Sequence, residues 1–220
     1  MHADIVILTP GHSLLNSYVD SLLQTAQVFA AKGIKWTWVN DYASHVGDAR
    51  EITLAGTRDN VISNTIPFGG QMTYDKLMWI DSDIAWKPED VLRLYESDKD
   101  IISGAYLFAN GTVAAYPEKL GKPHTFEEVL EMKEPTKVSG VGFGFVAIKP
   151  GIFELMSRPW FQQVEATHTL DGMEYTFPVI GEDLSWCYRA QDLGFDIWLD
   201  PEVKVTHHKN MKLTWEGIRP

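Results

Sequence analysis

Lys76-Leu77-Met78-Trp79-Ile80-Asp81-Ser82-Asp83-Ile84 is the stretch on which the rest of the chain turns. A short continuous apolar run, Leu77 to Ile80, reads as a strand buried on both faces. It stops at two carboxylates separated by a single serine. Burying charge is costly, so the carboxylates belong where the strand leaves the core. Two of them converging on one point repel unless a cation lies between them. Asp81 and Asp83 are therefore candidate oxygen ligands for a hard divalent ion such as Mg²⁺ or Mn²⁺. The same residues also read as a strand followed by a polar turn, with Asp83 and Pro88 flanking the start of the next helix.

Outward from this strand, periodicity alternates. Asp4–Leu8 is an apolar β-rich run that ends at Thr9-Pro10-Gly11. Leu14, Leu15, Tyr18, Val19, Leu22, Leu23, Ala26, Phe29 and Ala30 have helical spacing, with Ser13 as the expected N-cap and Gly33 as the stop. Ile34–Val39 is a second strand. Asp48-Ala49-Arg50-Glu51 has the form of a capping box opening a helix to about Ile62. Pro88-Glu89-Asp90 opens another helix, and Asp100–Leu107 is a further strand. Alternating strands and helices predict an α/β fold: one domain, with a mostly parallel mixed sheet flanked by helices. Ligands of such sheets sit beyond the carboxyl ends of the strands. Thr9-Pro10, Val39-Asn40-Asp41 and Asp81-Ser82-Asp83 all fall there.

The second half is less regular. A short helix is predicted over Thr125–Met132, and a glycine-punctuated strand over Val138–Ile148. Arg158–Val179 reads as an aromatic-rich loop region. A helix opens at Gly181-Glu182-Asp183 and stops at Gly194, and short strands follow at Ile197–Leu199 and Val203–His207.

Global composition bounds the function. A net charge of −11 without a Lys/Arg cluster argues against an unaided grip on nucleic acid or an anionic membrane. The single cysteine, Cys187, excludes an internal disulfide framework and fits a reducing compartment. No apolar run is long enough to span a bilayer. The expectation is a cytoplasmic protein of a bacterial or viral/host cytosol.

Several residues can carry chemistry. Glu182 and Asp183 stand at a helix N-terminus, where negative charge caps the dipole and where a carboxylate can also act as general base. On the terminal strand, Val203, Val205 and His207 share one face, so His207 points inward and His208 outward. An imidazole beside Asp81 and Asp83 makes an O,O,N metal set. Gly140-Val141-Gly142-Phe143-Gly144 lacks the lysine ending of a phosphate loop and reads instead as glycines that let a substrate approach the backbone. Arg58, with its planar fork, suits a diphosphate, and Asn60 lies beside it. Trp160, Phe161, Tyr175, Phe177 and Trp186 form either core or a platform for sugar rings.

The ordered set Arg58-Asp59-Asn60, Asp81-Ser82-Asp83, Ile102–Tyr106, Gly140–Phe145, Gly181–Cys187, Gly194–Pro201 and Val205–His208 resembles the GT-A glycosyltransferases, especially family-2-like members. The resemblance covers the chain from the first strand to His208. It implies a single GT-A (Rossmann-like) domain over residues 1–220. Residues 1–107 would be the nucleotide-sugar-binding half and 108–220 the acceptor-binding and catalytic half. It implies a hexosyl or related transferase that uses Mn²⁺ or Mg²⁺ to move a sugar from a UDP- or GDP-sugar to a glycan or other hydroxyl acceptor. Asp83 and His207 would bind the metal, and Asp81 the metal or the ribose. Thr9, Asp41, Arg58, Asn60, Ser82 and Gly142 would line the donor site. Asp183 would be the base of an inverting reaction, with Glu182 second. Two other classes share the acidic cluster: a noncatalytic nucleotide-sugar or glycan-binding module, and a metal-dependent hydrolase or nucleotidyltransferase.

Overall fold

The computed structural model describes residues 1–56, 65–170 and 172–209, with the backbone of 212–214 and 217–219; the side chains at 166, 168, 170, 175, 177 and 178 fall outside that description. In chain order the elements are β1 (His2–Pro10), α1 (Asn16–Lys32), β2 (Trp36–Asp41), α2 (Val46–Ala55), a 3-10 turn at Pro67–Gly70, β3 (Thr73–Ile80), β4 (Ile84–Ala85), α3 (Pro88–Glu96), β5 (Ile101–Ala105) and β6 (Ala115–Tyr116). They continue with α4 (Phe126–Glu131), β7 (Thr136–Val138), β8 (Gly140–Val141), β9 (Phe145–Ile148), α5 (Ile152–Leu155), β10 (Val164–Leu170), β11 (Met173–Ile180), α6 (Glu182–Asp192), β12 (Ile197–Lys204), β13 (Thr206–His207), β14 (Lys212–Thr214) and β15 (Gly217–Arg219).

Seven strands form the central sheet in the order β2-β1-β3-β9-β5-β12-β7. Strands β2, β1, β3, β5 and β12 run one way, and β9 and β7 the other. The sheet is therefore mixed and mostly parallel, as the alternation predicts. Successive β1 side chains feed two cores. Ile5 and Ile7 pack with Tyr18, Leu22 and Phe29 of α1 and Val91 and Leu94 of α3. Val6 and Leu8 pack on the opposite face with Leu54 of α2, Phe153 of α5, and Trp186 and Ala190 of α6. Strand β3 lies between β1 and β9 with both faces covered, which is why Leu77–Ile80 carries no polar residue. Each such buried side chain contributes roughly 1.5–3 kcal/mol.

Several sequence expectations are corrected. Helix α1 begins at Asn16 with Leu15 as its cap residue and no side-chain cap, so Ser13 does not serve. Helix α2 starts at Val46 and its last turn closes on Gly56 in the left-handed region (φ 85°), a conformation that favours glycine. The Asp48–Glu51 capping box does not form, because Arg50 and Glu51 are buried in contacts described below. The segment read as one strand over Val138–Ile148 is broken: β7, β8 and β9 are separate, and only β9 joins the middle of the sheet. The Arg158–Val179 region holds a hairpin, β10 paired antiparallel with β11 from Val164↔Ile180 to Leu170↔Met173. Trp160, Phe161 and Trp186 are buried in the second core, so they are not an exposed sugar platform. Tyr175 and Phe177 lie on β11, and their side chains are outside the described set.

Candidate functional site

The carboxyl ends of β1, β2, β3 and β5 meet the start of β9 at one edge of the sheet, and the end of β3 is its centre. Beyond Ile80 the backbone turns at once. The Asp81 amide donates to the Gly144 carbonyl (3.0 Å) and the Ile84 amide to the Asp81 carbonyl (3.1 Å). This turn sends Asp81 and Asp83 to different partners.

Asp83 faces the end of the chain. Strand β13 pairs with β4, placing His207 opposite Ile84, and the His208 amide donates to the Asp83 carbonyl (2.9 Å). The His207 Nε2 lies 3.2 Å from Asp83 Oδ2, and the Lys209 Nζ lies 2.9 Å from the same oxygen. Burial works to raise the Asp83 carboxyl, but the hydrogen bonds and charges of His207 and Lys209 outweigh it and hold it at about 2. The other ring nitrogen of His207, Nδ1, donates to the Leu107 carbonyl (2.8 Å), since a carbonyl can only accept. With Nδ1 committed to Leu107, Nε2 and Asp83 Oδ2 face each other across a gap that a ring proton fills in the hydrogen bond above and that a cation can fill in its place. A ligand imidazole with its second nitrogen fixed by a backbone carbonyl is the usual arrangement at a metal. Asp83 and His207 therefore suit a divalent ion. His208, one residue past β13, bonds Ser17 Oγ through its Nε2 (3.0 Å).

Asp81 faces α2. The Arg50 Nη2 donates to both its oxygens (3.1 and 3.3 Å), and the Nη1 of the same guanidinium donates to Glu182 Oε1 (3.3 Å). The guanidinium lies against the rings of Phe143 and Phe161. The sequence reading pairs Asp81 with Asp83; the structure gives Asp81 to a cation and leaves Asp83 with His207. Arg50 escaped notice because Asp48–Glu51 matches a capping box. The signal was its place beside Ala49, Thr53 and Leu54 on the buried side of the helix, where an unpaired arginine is not tolerated.

At the start of α6, Glu182 is buried and paired with Arg50, while Asp183 is partly exposed. Burial and the neighbouring Glu182 push the Asp183 carboxyl up, Arg50 pulls it back, and the result is about 6. Its Oδ1 accepts the Leu184 amide (2.8 Å). A carboxyl balanced near neutrality can exchange a proton under physiological conditions.

Tyr106, directly after β5, was not singled out by its sequence position. Its hydroxyl fills the space a Cβ would take at Gly142 and its ring the space at Gly144, where the Cβ position is only 2.7 Å from Cζ. The Gly144 amide donates to the Tyr106 hydroxyl (3.1 Å), and the ring packs edge-on against His207. The glycines of this segment therefore admit a tyrosine ring; Gly140 likewise makes room for Leu184. Ser82 closes against Gly11, binding the end of β1 to the turn after β3. Thr9 is buried, its hydroxyl bonded to the Tyr18 hydroxyl and to Trp38 Nε1. Asp41 ends β2 half-buried, its carbonyl accepting the Gly11 amide. Arg58 and Asn60 lie outside the described residues.

No protein-family model matches the sequence, and no curated protein matches it. Solved structures do match. A197 from STIV aligns over 96% of this chain and 96% of its own, at 17% identity and a TM-score of 0.53. The catalytic domain of Drosophila β1,4-galactosyltransferase 7, solved with xylobiose, aligns over 94% of this chain and 71% of its own, at 11% identity and a TM-score of 0.50. The chain has the GT-A glycosyltransferase fold. No helix among the described residues is long and apolar enough to cross a membrane.

Proposed function

We propose that this protein is a metal-dependent glycosyltransferase. It moves a sugar from a nucleoside diphosphate sugar, with UDP- or GDP-sugars first in order, to a glycan or other acceptor hydroxyl. The observation that carries the reading is the pair of carboxylates with opposite proton affinities at one ligand edge of the sheet: Asp83, held at about 2 beside His207, and Asp183, raised to about 6. The likeness to a galactosyltransferase domain supports it at the level of fold.

In this reading Asp83 and His207 hold Mn²⁺ or Mg²⁺. When bound, the ion supplies positive charge that stabilises the diphosphate leaving group. Asp81, anchored by Arg50, presents its exposed edge to the donor ribose. Asp41 and Ser82 lie at neighbouring strand ends and shape the nucleoside side, while Thr9, buried with its hydroxyl bonded to Tyr18 and Trp38, supports that edge without touching the donor. Asp183 Oδ2 takes the proton of the acceptor hydroxyl, since Oδ1 already accepts the Leu184 amide. The pairing of Glu182 with Arg50 makes Glu182 the poorer base. A base on the face opposite the leaving group gives inversion. Residues 1–107 serve the donor, joined at the metal by His207, and the rest of 108–220 serves the acceptor, with specificity in the 110–137 segment and the β10–β11 hairpin.

The test is a thermal-shift screen of UDP-, GDP-, CMP- and dTDP-sugars with Mn²⁺, Mg²⁺ or EDTA. Ligand that binds only the native state raises the Tm. A metal-dependent shift with one nucleotide, absent in Asp83→Ala, is expected; no shift with any donor would refute the reading. The anomeric configuration of the product, read by NMR, tests inversion.

A further inference from the structure

Arg50 carries a load that none of these roles uses. Its side chain is 4% exposed, and both its carboxylate partners come from other elements: Asp81 from the end of β3 and Glu182 from the first turn of α6. Its Nε has no hydrogen-bond partner among the described residues. A buried ion pair seldom repays its desolvation, and an apolar replacement of similar shape is often as stable. Three charged groups kept together here point to a purpose other than stability. The next residue repeats the pattern. Glu51, also buried, accepts from Arg158 Nη2 (2.7 Å) and from the Phe161 amide (2.8 Å). Phe161 in turn lies against the Arg50 guanidinium. Consecutive charged residues of α2 thus brace the β3 turn, the start of α6 and the segment leading into the hairpin.

We propose that Arg50 is a positioning residue: its planar fork fixes Asp81 and Glu182 as one unit and leaves Asp183 the carboxylate of the acidic pair that has no ion-pair partner among the described residues. The inference deepens the transferase reading of this site and rests on it for its consequence in turnover. Lysine, a point charge, cannot hold both carboxylates with the same geometry. Among the described residues, the groups that act on Asp183 are Glu182 and the Leu184 amide from α6, Arg50 from α2 and Asp81 after β3; Cys187, Tyr106 and Tyr116 also face it, and these are uncharged near pH 6. Arg50 is the one cation among them, so its removal acts on Asp183 in a known direction.

The test is a carboxyl-carbon NMR titration of the full chain, with the Asp183 signal assigned by its loss in Asp183→Asn. The wild-type midpoint is expected at about 6. Arg50→Gln should raise it by about one unit or more, and Arg50→Lys, which keeps the charge but loses the fork, should raise it by about half a unit, between the wild type and glutamine. An unchanged midpoint in Arg50→Gln, or a lysine variant that titrates like the wild type, would overturn the proposal. If Arg50→Gln does not fold, Glu182→Gln keeps the cation and removes the neighbouring carboxylate. It should lower the midpoint by about one unit, and no movement would overturn the proposal as well. The titration needs no substrate. Failure of the wild type to bind any donor would strike the transferase reading alone, whereas an unmoved Asp183 would strike this inference alone.

Discussion

Asp83 and Asp183 are the same side chain at the same edge of one sheet, and they are tuned in opposite directions. Asp83 has an imidazole and an ammonium on one oxygen, and these outweigh its burial. Asp183 has a carboxylate for a neighbour, and the cation near it among the described residues, Arg50, bonds Glu182 and Asp81 and relieves Asp183 only in part. A carboxylate among cations is a ligand that stays ionised. A carboxylate short of cations is a base that can be protonated. Partner supply, not residue type, assigns the roles.

The largest expected effect separates the two by chemistry. Asp183→Asn removes the base and should lower kcat by about 10²–10⁴-fold in a transfer assay with saturating donor. Donor affinity should stay within a factor of about two. A parallel loss of donor binding would show that the carboxylates do not divide their labour.

Next comes the metal side. Asp83→Ala should weaken Mn²⁺-dependent donor binding by more than about 100-fold, measured by isothermal titration. Retained affinity would move the metal elsewhere.

The comparison also has a pH signature in stability. The folded carboxyl of Asp183 lies near 6, above its ordinary 3.8, so the folded state holds the proton more tightly between those values. Stability from this group is therefore present at low pH and lost as pH rises through about 6. Asp183→Asn should raise the Tm by about 3 °C or more at pH 7.5 and little at pH 4. For Asp83 the sign reverses. Its folded carboxyl lies near 2, so it stabilises above about 3.8 and the contribution disappears as pH falls toward 2. Asp83→Asn should cost about 1 kcal/mol at pH 7, after allowance for its partial exposure, and almost nothing at pH 2. Thermal melts at pH 7.5 and 4 for Asp183→Asn, and denaturant melts at pH 7 and 2 for Asp83→Asn, check the two signs.

The smallest effect sharpens the Asp83 side. Lys209 is half-exposed and competes for the oxygen offered to a metal. Lys209→Ala should tighten Mn²⁺ binding by about 2–5-fold, in line with the strength of exposed ion pairs. Weaker binding would mean that Lys209 assists the ion or the donor.

Much of this architecture can be read from local pattern. Strands β1 and β3 announce themselves as apolar runs that end in polar residues, and α1 by the spacing of Tyr18, Leu22 and Phe29. The meeting of Asp83 and His207, far apart in sequence, follows from strand ends and alternation. What escapes is set by distant partners. Arg50 looks like part of a helix start until Asp81 and Glu182 are seen beside it. Gly142 and Gly144 look like room for substrate until Tyr106 fills it. The β10–β11 hairpin left a local trace, the Asp171-Gly172 dipeptide between two β-rich runs, which the density of aromatics obscured. Ser13 was a sound cap by residue type, but the chain stays extended as far as Leu15, whose amide donates to the Ser82 carbonyl.

The most direct measurement is donor binding to the wild type and to Asp83→Ala, with Mn²⁺ and with EDTA, across the four nucleotide classes. The account predicts one class of nucleoside diphosphate sugar bound by the wild type with Mn²⁺, and lost both with EDTA and in the variant. Binding that is indifferent to metal and unchanged in Asp83→Ala would contradict it.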